Sequence, residues 1–199
     1  MLLFYNEKLV LFAQPKTGTT ALERALAGRA TAAILDPPRL KHTSVRRYRR
    51  ELEAWITRDR REPFETMALI REPVDWLGSW YRYRRRAQIA GQSKSTEGVD
   101  FDAFVRAWMQ EERPDFARVG SQSRFVTGGR GRLLVTHLFR YEAYDAALAF
   151  LETRLGEKIE TKPVNVSPKM GLALSAETEA ALREYAARDF ELWEGARQS

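Results

Sequence analysis

Lys16, Thr17, Thr19 and Thr20 crowd around Gly18 in the hexapeptide Pro15-Lys16-Thr17-Gly18-Thr19-Thr20. A continuous apolar run over residues 9–13 leads into it, and a helical pattern over residues 20–27, stopped by Gly28, leads out. Such a strand-to-helix turn gathers backbone N–H groups onto a phosphate, and the helix adds the positive end of its dipole. Lys16 would set an ammonium beside the bound oxyanions, while Thr19 and Thr20 offer hydroxyls or cap the helix. The order differs from that of nucleotide kinases: here the lysine precedes the glycine, and Gly-Lys-Ser/Thr is absent.

Other groups with chemistry also follow strand-like runs. Arg71 ends the buried-strand pattern of residues 66–70, and Pro73 suits the first position of a helix reaching about residue 86. Ser79 then lies about two turns into that helix. A guanidinium at a strand end can grip a dianionic phosphate with two N–H groups, or else serve a structural ion pair. The chain has two histidines. His42 falls in a loop after the short strand candidate at 32–35 and the Pro37-Pro38 break, where functional groups concentrate. His137, in an alternating strand over 133–139 on the face of Leu133, Val135 and Phe139, reads as a satisfied core residue.

The hexapeptide resembles the 5′-phosphosulfate-binding loop of the sulfotransferase superfamily. Arg71-Glu72-Pro73 with Ser79 eight residues after the arginine resembles that family's second motif, which binds the donor's 3′-phosphate. The resemblance implies 3′-phosphoadenosine 5′-phosphosulfate (PAPS) as donor, adenosine 3′,5′-bisphosphate (PAP) as product, and no metal. It implies that Pro15, Lys16, Thr17, Gly18, Thr19 and Thr20 hold the 5′ end, with Arg71 and Ser79 at the other. His42 matches by position and type the family's general base, and Lys16 would stabilise the leaving phosphate. Lys41 beside it would orient an acceptor or stay solvated. Gln122 and Arg124 resemble a Gln-Ser segment that approaches the substrates in carbohydrate-type members. Asn165, Ser167 and Lys169 resemble a late Asn-x-Ser segment near the nucleotide; a proline-bounded polar loop explains them equally. The Arg-Lys-Gly-x-x-Gly segment of small-molecule sulfotransferases is missing, which points to the carbohydrate-type and bacterial branch and leaves the adenine contacts unassigned. The acceptor implied is a free hydroxyl, carbohydrate in preference and in one reading an anionic glycan.

Positioning these groups requires strands that alternate with helices. Further helical patterns cover residues 45–58, 101–109 behind the capping Asp100, 144–155, and a terminal stretch capped by Ser175 with Leu182, Ala186, Phe190 and Trp193 on one face. Residues 2–5 and 158–161 are additional strand candidates. This is an α/β domain with a mainly parallel central sheet, whose ligands bind at the carboxyl ends of the strands. With the family resemblance it implies a P-loop NTPase-like, three-layer single domain over residues 1–199.

Bulk composition sets the outer limits. With 44% hydrophobic and 30% charged residues in a 199-residue chain, a single domain can bury a real core. The absence of cysteine rules out disulfides and thiolate metal sites. Asn6-Glu7-Lys8 interrupts the apolar start, and no run approaches the roughly 20 residues of a membrane span, so a cytoplasmic protein is expected. A net charge of +6 suits either Arg-rich helix faces or a polyanion site. Two other functions remain to be weighed. One is a P-loop kinase, with Asp36 imitating the magnesium aspartate; the other is a basic nucleic-acid-binding module, which no recognised motif supports. No nucleic-acid partner is expected, and nothing in the sequence speaks to oligomeric state.

Overall fold

Residues 9–12 and 67–70 are apolar at every position, and the fold buries all of them. Runs this short and this apolar suit strands covered on both faces. The computed structural model describes residues 1–59, 62–162 and 170–199. Its strands are β1 (Leu2–Phe4), β2 (Leu9–Leu11), β3 (Ala32–Ala33), β4 (Glu65–Ile70) and β5 (His137–Arg140), in the sheet order β3-β1-β2-β4-β5. β2, β4 and β5 run parallel, whereas β1 pairs antiparallel with β2 and with β3. The sheet is therefore mixed, and its parallel half carries the loops of interest.

Ten α-helices surround this sheet among the described residues. They are α1 (Thr19–Leu26), α2 (Pro38–Lys41), α3 (Val45–Glu51), α4 (Glu53–Ile56), α5 (Pro73–Arg84), α6 (Phe101–Met109), α7 (Gln122–Val126), α8 (Tyr144–Leu155), α9 (Ala176–Tyr185) and α10 (Ala187–Glu194). Side-chain alternation divides the strands between two cores. Leu9, Leu11, Met67, Leu69 and Phe139 pack with Leu22 and Leu26 of α1 and Leu151 of α8. Val10, Ala68, Ile70 and Leu138 pack on the other face with Tyr48 of α3, Phe125 of α7 and Leu192 of α10. Each fully buried leucine or isoleucine contributes about 1.5–3 kcal/mol, enough to hold β4, and so Arg71, in register.

A third cluster lies beyond the sheet, where Trp76 and Leu77 of α5 meet Phe104 and Trp108 of α6 and Leu182 of α9. Here the helical periodicity of residues 101–109 is realised, and Asp100 accepts the Ala103 N–H at 2.7 Å as its cap. No helix among the described residues is long and apolar enough to cross a membrane.

Several elements depart from the sequence reading. The pattern over 45–58 forms two helices, broken at Leu52. The terminal helix breaks at Ala186, which turns Trp193 away from the cluster of Leu182 and Phe190 and onto the sheet side. The strand expected over 133–139 is confined to β5. Upstream, Thr66 and Thr136 exchange backbone-to-hydroxyl hydrogen bonds of 3.1 and 3.0 Å in place of ladder bonds, and Leu134 N–H turns to Val126. Residues 158–161 form no strand, because the Ile159 N–H donates to the Glu152 carboxylate at 3.0 Å. The His137 Nε2–H donates to Glu65 Oε2, 3.0 Å away, which satisfies one ring nitrogen, and the ring packs on Phe150.

Candidate active site

The loop after β2 closes on itself. The Gln14 carbonyl accepts from the Thr17 hydroxyl at 2.9 Å and the Thr19 hydroxyl at 3.4 Å. Lys16 and Gly18 take left-handed backbone angles, φ +67° and +71°. Gly18 is also required sterically, since a Cβ there would lie 2.8 Å from the Tyr141 ring. Gly18 starts α1 without a side-chain cap, and the Ala21 N–H reaches the Gly18 carbonyl at 3.0 Å. Two donors from the next strand-helix unit clamp the loop. Trp76 Nε1–H reaches the Pro15 carbonyl at 3.0 Å, and Arg71 Nη1–H the Lys16 carbonyl at 3.2 Å.

A cleft of about 1320 Å³ opens beside this loop. Pro15, Lys16, Gly18, Thr19 and Thr20 line it, together with Lys41, His42, Arg71 and Ser79. Among the described residues its basic side chains are Lys16, Lys41, Arg71, Arg82, Arg86 and Lys162, against one acid, Glu142, whose oxygens accept the Glu72 N–H and the Trp193 indole N–H. Trp80, Tyr83, Tyr141 and Tyr144 supply aromatic walls. The structure thus brings together groups from five separate stretches of sequence on one electropositive surface.

Lys16 sits deepest in that field. Its ammonium lies 4.4 Å from the Tyr83 ring centre and 5.6 Å from that of Trp80, with no carboxylate partner among the described residues. Burial, reinforced by Arg86, Arg71 and Arg82, lowers its pKa to about 8. Arg71 serves the structural ion pair open to it. Its Nε and Nη2 contact Asp75 Oδ2 at 2.7 and 2.6 Å, its Nη1 bonds the Lys16 carbonyl, and its plane lies over the Tyr141 ring at 4.5 Å. A guanidinium has five N–H donors, of which the described residues engage three. Asp75 Oδ1 also contacts Arg82 Nη2 at 3.3 Å, so one carboxylate ties two arginines of the cleft wall.

His42 follows α2, and its Nδ1 lies 2.6 Å from the Ala13 carbonyl oxygen. A carbonyl only accepts, so Nδ1 carries the proton and Nε2 holds a lone pair. Burial lowers the imidazole pKa below its usual 6.5, which keeps the ring neutral at pH 7. Beside it, Lys41 Nζ pairs with the buried Glu23 at 2.6 Å, an ion pair that holds the lysine against α1.

Some expected contacts lie elsewhere. Thr17 is fully buried and its hydroxyl is spent on Gln14, so its side chain does not line the cleft. Gln122 is likewise fully buried and bonded to Gln14 and to the Arg71 backbone, which removes it from direct contact with an acceptor. Arg124 is exposed and does not line the cleft. Asn165, Ser167 and Lys169 fall outside the described residues.

Sequence reading missed Trp80 and Tyr83 as partners of Lys16, and the arginines at the end of α5 do not act as one group. Arg82 and Arg86 line the cleft; Arg84 instead bonds the Asp115 and Arg118 carbonyls, and Arg85 the Tyr81 hydroxyl. A usable signal existed, because Ser79, Arg82, Tyr83 and Arg86 recur at i, i+3, i+4 and i+7. Tyr141, Glu142 and Asp75 carried no such signal. Comparisons with family models, with curated proteins and with solved structures find no match.

Proposed function

We propose that the chain is a sulfotransferase that moves the sulfuryl group of PAPS to an acceptor hydroxyl, a carbohydrate in preference. The observation that carries this reading is the convergence of Lys16, Arg71, Ser79 and His42 on one cleft. Its volume exceeds the roughly 300–1,000 Å³ of an ordinary small-molecule site, leaving room for a nucleotide and an acceptor together. A P-loop NTPase-like fold belongs to this reading, supported by the sheet's parallel half and the loop between β2 and α1.

The residues divide the work by chemistry. Arg71 and Ser79 hold the donor's 3′-phosphate, and the loop N–H groups with Lys16 surround the 5′-phosphate. The Nε2 lone pair of His42 takes the proton from the acceptor hydroxyl as its oxygen attacks sulfur. The sulfur–oxygen bond to the 5′-phosphate breaks, its electron pair stays on that phosphate, and Lys16 stabilises the growing charge. The basic lining of the cleft favours an anionic glycan as acceptor.

Calorimetric titration tests the reading. Binding of PAP without magnesium supports it, and turnover with labelled PAPS across an acceptor panel then identifies the substrate. Magnesium-dependent binding of ATP in place of PAP would make the protein a kinase, and steeply salt-dependent binding of arbitrary DNA or RNA would make it a nucleic-acid module.

A further inference from the structure

Gln122 joins two strand ends through one carboxamide. Its Oε1 accepts the Arg71 N–H and the Gln14 side-chain N–H, both at 2.9 Å, and its Nε2–H donates to the Arg71 carbonyl at 2.7 Å. The paired N–H and C=O bonds to Arg71 reproduce what a neighbouring strand would give, just where β4 has ended. Gln14 lies beyond the end of β2 and starts the loop that carries Lys16. The carboxamide is itself anchored from below. The buried carboxylate of Asp189 in α10 accepts the Gln122 and Ser123 N–H groups at 3.1 and 2.9 Å, fixing the first turn of α7.

We propose that Gln122, anchored by Asp189, is the positioning residue that sets the distance between the Arg71 grip and the Lys16 loop. This rests on the sulfotransferase reading for its consequence, which is PAP affinity, but not for its geometry. Both ends of the donor must be held at once, and a displacement of about 1 Å in such a grip can cost up to a hundredfold. Gln122 is buried and does not line the cleft, so its effect passes through the Arg71 backbone and Gln14.

Gln122→Glu gives the sharpest test. A protonated glutamic acid repeats the carboxamide pattern, its carbonyl accepting from Arg71 N–H and its hydroxyl donating to the Arg71 carbonyl. The ionised form has no donor, and the Arg71 carbonyl then faces a negative charge. Burial raises the pH at which such a carboxyl ionises. Asp189, Arg71 and Arg124 surround this contact in both proteins, so the native pH profile is the control. Two quantities are read across pH: exchange of the Arg71 amide proton, and the Kd for PAP. In the variant, amide protection and PAP affinity both match the native protein at low pH. As pH rises, both fall together, the affinity by about tenfold or more. Gln122→Met, which fills the space without polar atoms, loses affinity at every pH, and its thermal unfolding establishes that it is folded.

The outcomes are separable. If the Arg71 amide follows pH in the variant but the native protein binds no PAP, the clamp stands and the sulfotransferase reading falls. If the native protein binds PAP and Gln122→Glu tracks it at every pH, the clamp is overturned and the function stands. Loss of amide protection with unchanged PAP affinity would also overturn the proposal, leaving Gln122 a purely structural contact.

Discussion

His42 is tied to Ala13: the imidazole Nδ1 and the Ala13 carbonyl oxygen are 2.6 Å apart, and Ala13 lies two residues before the Pro15–Thr20 loop. The residue that would accept a proton is thereby fixed to the backbone leading into the residues that would hold the donor. On the proposed mechanism neutral His42 is the active form, so turnover should rise with pH through a value below 6.5 and level off above it. His42→Ala should lower kcat by about 10²–10⁴-fold while leaving the PAP Kd within a few-fold of native. A variant that keeps full turnover would remove His42 from the mechanism.

Lys16 sets the opposite limb. Its ammonium form attracts the anion and is the form present below about pH 8. PAP affinity should therefore weaken as pH rises through about 8, with one proton linked to binding. Lys16→Met should bind PAP more weakly and lose this dependence, which calorimetry at a series of pH values reads directly.

Asp75 offers a separation of stability from binding. At 45% exposed, its ion pairs with Arg71 and Arg82 contribute less than about 1 kcal/mol to stability. Asp75→Ala should therefore unfold close to the native temperature, yet raise the PAP Kd several-fold as two guanidinium groups lose their common anchor. Tighter binding in the variant would show that the carboxylate competes with the ligand instead.

Gly18→Ala should damage both properties. The left-handed backbone at φ +71° alone costs an L-residue about 1–2 kcal/mol. The new methyl also meets the Tyr141 ring, on whose face Arg71 rests. A lower unfolding temperature together with weakened PAP binding is expected; a native-like value for either would contradict this geometry.

What the sequence made legible follows from the range of the forces involved. β2, β4 and the turn at Gly18 were readable because apolar runs and φ > 0 requirements act locally. The 3.6-residue spacing of Phe101, Phe104, Val105 and Trp108 was equally local. Gln122 was misassigned because its partners, Gln14 and Arg71, lie 108 and 51 residues away, and nothing local distinguishes a buried amide from a ligand contact. The strand ahead of His137 was over-read for a related reason. Alternation predicts the face a residue takes, but the hydroxyls of Thr66 and Thr136 replace the ladder that alternation alone would suggest.

Four of the bonds that assemble the cleft share one asymmetry. Trp76 reaches the carbonyl of Pro15, Arg71 that of Lys16, His42 that of Ala13, and Thr17 that of Gln14. Every amino acid offers a carbonyl, so the accepting positions are constrained in shape while the donating ones are constrained in identity. Saturation mutagenesis should show this as an uneven map. Ala13 would tolerate any side chain its buried space admits, whereas Trp76, the fourth residue of α5 and partner to the adjacent loop, would tolerate almost none.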